Sequence, residues 1–112
     1  MNEGLEIAHQ IGIESVKLSR ELEKRRSFAM ANQILRAGTS IGANMREAQS
    51  PESRRDFIHK MKIADKELRE SQYWFKLLED LDGIDLTDLK NKTKSLERII
   101  SKSIATASKR ST

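Results

Sequence analysis

Cysteine is absent from this 112-residue chain, so neither a disulfide framework nor a thiolate metal site can form. Proline occurs once, at Pro51, and glycine only five times. With so few breakers, long uninterrupted helices are the natural elements, and the 4% aromatic content points the same way. No apolar run approaches the ~18 residues of a membrane span, and the N-terminus lacks the charged-then-apolar pattern of a secretory signal. A soluble cytoplasmic protein without a membrane partner is expected. At this length one domain, spanning 1–112, with a single modest core is expected.

Charge, by contrast, is plentiful: 34% of residues are charged and the net charge is +4. From Lys90 to Thr112, seven Lys or Arg stand against Glu97 alone, so this segment carries +6 and the remainder −2. A basic C-terminal segment suits an acidic partner, and equally a solvated helix face.

Four helical patterns follow one another, at about 3–23, 27–49, 51–82 and 85–108. The first recurs through Leu5, Ala8, Ile11, Leu18 and Leu22, with Ser15 on the same face. Lys24, Arg25 and Arg26 suit a helix carboxyl end, and Ser27 is a candidate cap for the second helix. That helix has an apolar arc of Met30, Ile34, Ala37, Ile41, Met45 and Ala48. Ser50-Pro51 reads as the next boundary, with proline at the first helical position. Asp82-Gly83 ends the third helix, and Asp85 followed by Asp88 resembles a cap with an acidic first turn. Leu86, Leu89, Leu96, Ile100, Ile104 and Ala107 form the stripe of the fourth, and Ser108 to Thr112 are expected to fray. Short connections between long helices predict an all-α, up-down-up-down antiparallel bundle.

The second helix carries the most distinctive segment, RAGTSIGAN from Arg36 to Asn44. Gln33, Arg36, Ser40, Asn44 and Glu47 fall within an arc of about 80° on one flank of its apolar face. Gly38 and Gly42 fall on the other, with the G-x-x-x-G spacing that lets helix backbones approach. Each glycine costs about 1 kcal/mol relative to alanine in a helix, so close packing must compensate. The polar stripe predicts a buried network in which Glu47 pairs with arginine while Ser40 and Asn44 satisfy neighbouring groups; a catalytic use is the less favoured reading.

On the third helix Phe57, Met61, Ala64, Leu68, Phe75 and Leu78 form the core stripe. An adjacent set, Ile63, Trp74, Leu77 and Leu81, with Glu67 and Glu70 on the same flank, widens the apolar face beyond what a monomer needs. It is expected to contact another subunit, the alternative being a broad core stripe.

Little in the chain suits catalysis. Glu6 with His9, and Asp56 with His59, have metal-ligand spacing but point away from their helices' apolar stripes. Asp56 is expected to pair with Lys60. No serine lies in a nucleophile elbow, and GTSIG lacks the Gly-Lys-Ser/Thr ending of a phosphate loop. Neither an enzyme nor a cofactor is expected. The remaining signal is basic. Arg55, Lys62, Lys66, Arg69 and Tyr73 share one face about 60° wide on the third helix. Lys90, Lys94, Arg98 and Lys102 recur every four residues on the fourth. Such rows can track phosphates, with tyrosine stacking on a base, or serve only solubility on a protein-interaction scaffold.

RAGTSIGANMREAQ (Arg36 to Gln49) followed by DFIHKMKIADKELRESQYWFKLL (Asp56 to Leu78) resembles the bacterial four-helix bundle family encoded by intervening sequences in 23S ribosomal RNA genes. The combination of SIGAN-x-x-EA with KEL-x-E-x-x-YW is specific, and the general layout extends the likeness over nearly the whole chain. Arg36, Ser40, Asn44, Glu47, Glu67, Glu70, Tyr73 and Trp74 fall on the family pattern. The resemblance implies a ring-like homopentamer around a central channel and carries over no catalytic residue. The chain is also similar to the accessory variability proteins of diversity-generating retroelements, which implies binding of RNA or DNA and contact with a reverse transcriptase.

Overall fold

A computed structural model describes residues 2–109, which form four α-helices and no strand. They are α1 (Asn2–Lys24), α2 (Phe28–Glu47), α3 (Arg54–Asp82) and α4 (Thr87–Lys109). Residues 110–112, most of the stretch expected to fray, lie outside the described residues, whereas Ser108 and Lys109 are helical. Contacts run α1–α2, α2–α3, α3–α4 and α4–α1, with none across the diagonals, in a rod of 51 × 22 × 19 Å. Residue pairings show that neighbours are antiparallel. Ser19 meets Ala31 while Gly42 meets Ala8; Arg36 meets Glu67 while Glu47 meets Lys60; and Glu79 meets Lys90 while Gln72 meets Glu97.

The expected apolar stripes converge inside. Ile11, Leu22, Ile34, Ile41, Met45, Met61, Leu68, Phe75, Leu96 and Ile100 are buried, while Leu5, Leu18, Met30, Phe57 and Ile104 pack around them. Thr93 extends the α4 stripe, its hydroxyl satisfied by donating to the Lys90 carbonyl at 2.6 Å.

The helix ends follow local hydrogen bonding more than the lone proline. α3 begins at Arg54, not at Pro51. Ser53 caps it by accepting from the Asp56 amide at 3.0 Å, and the Asp56 carboxylate accepts from the Glu52 amide at 3.1 Å. This reciprocal arrangement satisfies two amides that a start at Pro51 would leave to solvent, and it occupies the carboxylate expected to pair with Lys60. α2 stops at Glu47, two residues early, where the Gln49 and Ser50 amides turn back to Arg46 and Glu47. Ser27 stands at the N-cap of α2 without a side-chain bond. Asp85 lies two residues before α4 and accepts from the Thr87 amide at 3.0 Å.

Two left-handed residues turn the chain. Gly83 (φ 66°) closes α3, as its sequence position foretold. Arg26 (φ 63°) closes α1 without glycine's freedom. There the Ser27 amide reaches back to the Leu22 carbonyl and the Arg26 amide to Glu23, the paired closure of a Schellman turn.

The tightest contact is between α1 and α2. A Cβ added to Gly38 would sit 2.0 Å from Ser15 Oγ and 2.4 Å from its Cβ, so any larger residue here would force Ser15 or the helices to move. At Gly42 the same atom would meet Ala8 atoms at 3.6–3.7 Å, ordinary contact. Ser15 is wholly buried and its hydroxyl has no hydrogen-bond partner, its volume filling the notch above Gly38. Ser19 secures the far end by donating to the Ala31 carbonyl at 2.9 Å.

The two glycines therefore predict opposite outcomes. Gly38→Ala should destabilise by about 2 kcal/mol, because overpacking exceeds the ~1 kcal/mol gain in helix propensity. Gly42→Ala should instead stabilise by up to ~1 kcal/mol. Denaturant unfolding measures both, and adding Ser15→Gly should recover most of the Gly38→Ala loss.

Candidate nucleic-acid interface

The seam between α3 and α4 is polar because α3 places Gln72 and α4 places Thr93 and Glu97 where the helices meet. The Gln72 amide donates to Glu97 at 3.1 Å and to Thr93 Oγ1 at 3.4 Å. At the connecting corner, Glu79 accepts from Lys90 at 2.6 Å through one oxygen and from the Leu86 amide at 2.9 Å through the other. A groove of about 430 Å³ runs along this seam, lined by Gln72, Lys76, Lys90, Thr93, Lys94, Glu97 and Arg98.

Three basic residues of the fourth-helix row, Lys90, Lys94 and Arg98, thus come together on one groove, with Lys102 beyond its lining. Lys94, Arg98 and Lys102 are exposed and have no ion pair among the described residues. Lys90 is the exception. It is half-buried and committed to Glu79, so it braces the corner instead of offering a charge. The third-helix row divides in the same way. Arg55, Lys62, Lys66 and Tyr73 are exposed on the outer side of α3 and do not line the groove. Arg69 is held by Asp65 at 3.0 Å; that hydrogen bond, then the charges of Asp65 and Glu97, raise its pKa. Lys76 and Gln72 belong to the site and were not singled out from the sequence. Their i, i+4 spacing along the α4 flank was the available signal.

The polar stripe of α2 does not form one buried network. Glu47 pairs with Lys60 at 2.9 Å and not with an arginine; this hydrogen bond, then the Glu47 charge, raises the lysine pKa. Arg36, half exposed, binds Glu67 at 3.0 Å and Glu70, and also donates to Gln33 at 3.1 Å. Ser40 and Asn44 donate to carbonyls of their own helix, Arg36 at 2.6 Å and Ser40 at 2.8 Å. Helix rotation explains the difference: the stripe faces the α2–α3 edge, where solvent reaches it. Glu70 also accepts from the Trp74 indole at 3.1 Å, which fixes the ring beside Tyr73 with centroids 5.4 Å apart. Ile63, Trp74 and Leu77 are partly buried on this edge, and Leu81 is 70% exposed.

The side chains with metal-ligand spacing are otherwise placed. Glu6 accepts from Gln10 at 3.2 Å, His9 and His59 are exposed, and Asp56 caps α3. Among the described residues no cluster of three or more His, Asp or Glu could hold a metal ion, and no helix is long and apolar enough to cross a membrane.

The family model described as 23S rRNA-intervening sequence protein matches residues 2–105. The chain belongs to that family. A solved structure, of a protein with unknown function from the S23 ribosomal protein family of Bacteroides thetaiotaomicron VPI-5482, superposes with a TM-score of 0.86. It is 35% identical, and the alignment covers 90% of this chain and 97% of that one. A comparison with curated proteins finds no match. The match spans α1 to α3 entirely and α4 through Ala105, a range that takes in Gly38, Gly42 and every residue lining the α3–α4 groove.

The corner that braces the groove is acid-sensitive. Hydrogen bonds from Lys90 and then the Leu86 amide lower the Glu79 pKa from 4.5. Bonds from the Thr87 side chain and amide lower that of Asp85 from 3.8. A carboxyl whose folded pKa lies below its unfolded value contributes stability above the unfolded value and loses it as pH falls through the folded one. Thermal stability should therefore decline as pH drops below about 4.5, and Glu79→Gln should make that decline shallower. An unchanged slope in melting temperature against pH would show that Glu79 is not poised in this way.

Proposed function

We propose that this protein is a non-enzymatic, homo-oligomeric, nucleic-acid-associated accessory protein that binds RNA or DNA through the α3–α4 groove. The observation that carries this reading is the row of unpaired cations at Lys94, Arg98 and Lys102, beside a groove whose Lys90 is already neutralised. Lysine and arginine at four-residue steps on a helix recur about every 6 Å, a spacing at which successive phosphates can be met. The exposed outer row of Arg55, Lys62, Lys66 and Tyr73 offers further backbone contacts and one stacking ring. No base-reading arrangement accompanies these charges, so shape and charge recognition is the mechanism they support.

Assembly is part of the reading. The apolar edge of α3, partly buried at Ile63, Trp74 and Leu77 and exposed at Leu81, supports contact between subunits, and the family likeness suggests a cytoplasmic homopentamer as the form to test. A ring would multiply a modest per-subunit affinity by presenting several grooves to one nucleic acid. The likeness to accessory variability proteins makes a reverse transcriptase the protein partner to examine. The family's link to 23S ribosomal RNA makes structured RNA the first ligand to try.

Reversing Lys94, Arg98 and Lys102 to Glu should weaken binding to structured RNA by at least tenfold and flatten its salt dependence, as read by gel shift over a range of ionic strength. Reversing the exposed Lys17, Lys24 and Arg25 should have a much smaller effect. Equal losses from both triple variants would indicate only general electrostatic attraction. An unaffected groove variant would favour the scaffold reading.

A further inference from the structure

Glu97 is the odd member of the α3–α4 groove. It is the one carboxylate among the lining residues, set beside Lys76, Lys90, Lys94 and Arg98. A groove built only to attract phosphates gains nothing from a negative charge in its midst. Glu97 is partly buried, and no lysine or arginine forms an ion pair with it among the described residues.

Its neighbours on the groove floor decide what it offers a ligand. One carboxylate oxygen accepts from the Gln72 amide at 3.1 Å, and the same amide nitrogen reaches Thr93 Oγ1 at 3.4 Å. Both hydrogens of that amide are thereby engaged, and a carboxylate that can only accept fixes which way the amide faces. The Thr93 hydroxyl donates its own hydrogen to the Lys90 carbonyl at 2.6 Å. The floor side chains therefore keep no free donor. They keep two free acceptors, the second oxygen of Glu97 and the carbonyl oxygen of Gln72, neither of which has a partner among the described residues.

On α4 these features form two adjoining rows, each one helical turn long. Lys94 and Arg98 carry exposed positive charge, and Thr93 and Glu97 lie next to them toward Gln72. A fitting ligand brings anions to the first row and a hydrogen-bond donor to the second. In a nucleic-acid backbone every phosphate supplies the anion, but the sugar supplies a donor only in RNA, through its 2′-hydroxyl. The cation row runs on to Lys102, about 12 Å from Lys94 at 1.5 Å per residue, which suits a polymer better than a single sugar phosphate.

We infer that the groove selects RNA over DNA. Lys94 and Arg98 meet successive phosphates, and Glu97 accepts a hydrogen bond from the 2′-hydroxyl of the ribose between them. This rests on the nucleic-acid reading above and names its substrate class. DNA laid in the same place turns a C–H toward the carboxylate, which is then stripped of water without gaining a partner. Glu97 thus acts as a specificity residue held in position by Gln72, and none of these contacts depends on base identity.

Three hairpins of one sequence test this: RNA, the same RNA with 2′-fluoro sugars throughout, and DNA. Fluorine keeps the A-form helix and removes the hydroxyl hydrogen. By fluorescence anisotropy at fixed ionic strength, the wild type should bind the RNA about tenfold more tightly than either of the others. Glu97→Ala should bring all three within about twofold, by tightening the fluoro and DNA hairpins. Equal wild-type affinity for RNA and 2′-fluoro RNA would overturn the inference, with helix shape as the discriminator if DNA alone binds weakly. So would a variant that tightens all three alike and keeps the discrimination, since Glu97 would then act only as a repelling charge. Failure of every hairpin to bind would instead remove the nucleic-acid reading itself. The hairpin series on the wild type needs no substitution, so it decides even if Glu97→Ala fails to fold.

Discussion

The close approach of α1 and α2 at Ser15 and Gly38 is the constraint on which the rest of the bundle depends. No side chain larger than hydrogen fits at Gly38, because the serine already occupies that space. This contact draws the two helices together along Ala8, Ser15 and Ser19 on one side and Ala31, Gly38 and Gly42 on the other. The close pair buries Ile11, Ile34 and Ile41, which form one wall of the core. α3 completes that core with Phe75, Leu68 and Met61, and its outward flanks remain free for charges and for the indole of Trp74.

The other seams are made differently. α2 and α3 meet over apolar side chains edged by ion pairs, α3 and α4 over a polar ladder, and α4 meets α1 most thinly, with Lys92 bridging Glu14 at 2.7 Å. Two hydrogen bonds, to Glu14 and to Asp88, raise the Lys92 pKa. Exposed ion pairs contribute about 0–1 kcal/mol each, so they orient α4 more than they hold it. The basic surface therefore rides on the least tightly packed helix.

Much of this architecture was legible in the residues. Four helical periods, Gly83 as a terminator, Ser15 on an apolar face and the close packing at Gly38 all follow from local pattern, whereas Gly42, expected to need the same closeness, meets Ala8 only at ordinary contact distance. The start of α3 did not, because the hydrogen bonds of Ser53 and Asp56 outweigh a proline that merely tolerates a helix start. Cross-helix partners were the least legible. Whether Glu47 meets an arginine or Lys60, and whether Lys90 is free or bound to Glu79, depends on helix rotation and on side-chain reach across a seam. For that reason the fourth-helix row reads as four equivalent cations in the sequence, yet only three remain available in the fold.

Native-state hydrogen exchange tests this hierarchy of seams most directly. The central amides of α1 and α2 around Ser15 and Gly38 should exchange only by global unfolding, and those of α4 should exchange through a lower-energy local opening. Equal protection in α4 and in the α1–α2 pair would contradict the claim that the small-residue seam is the structural spine.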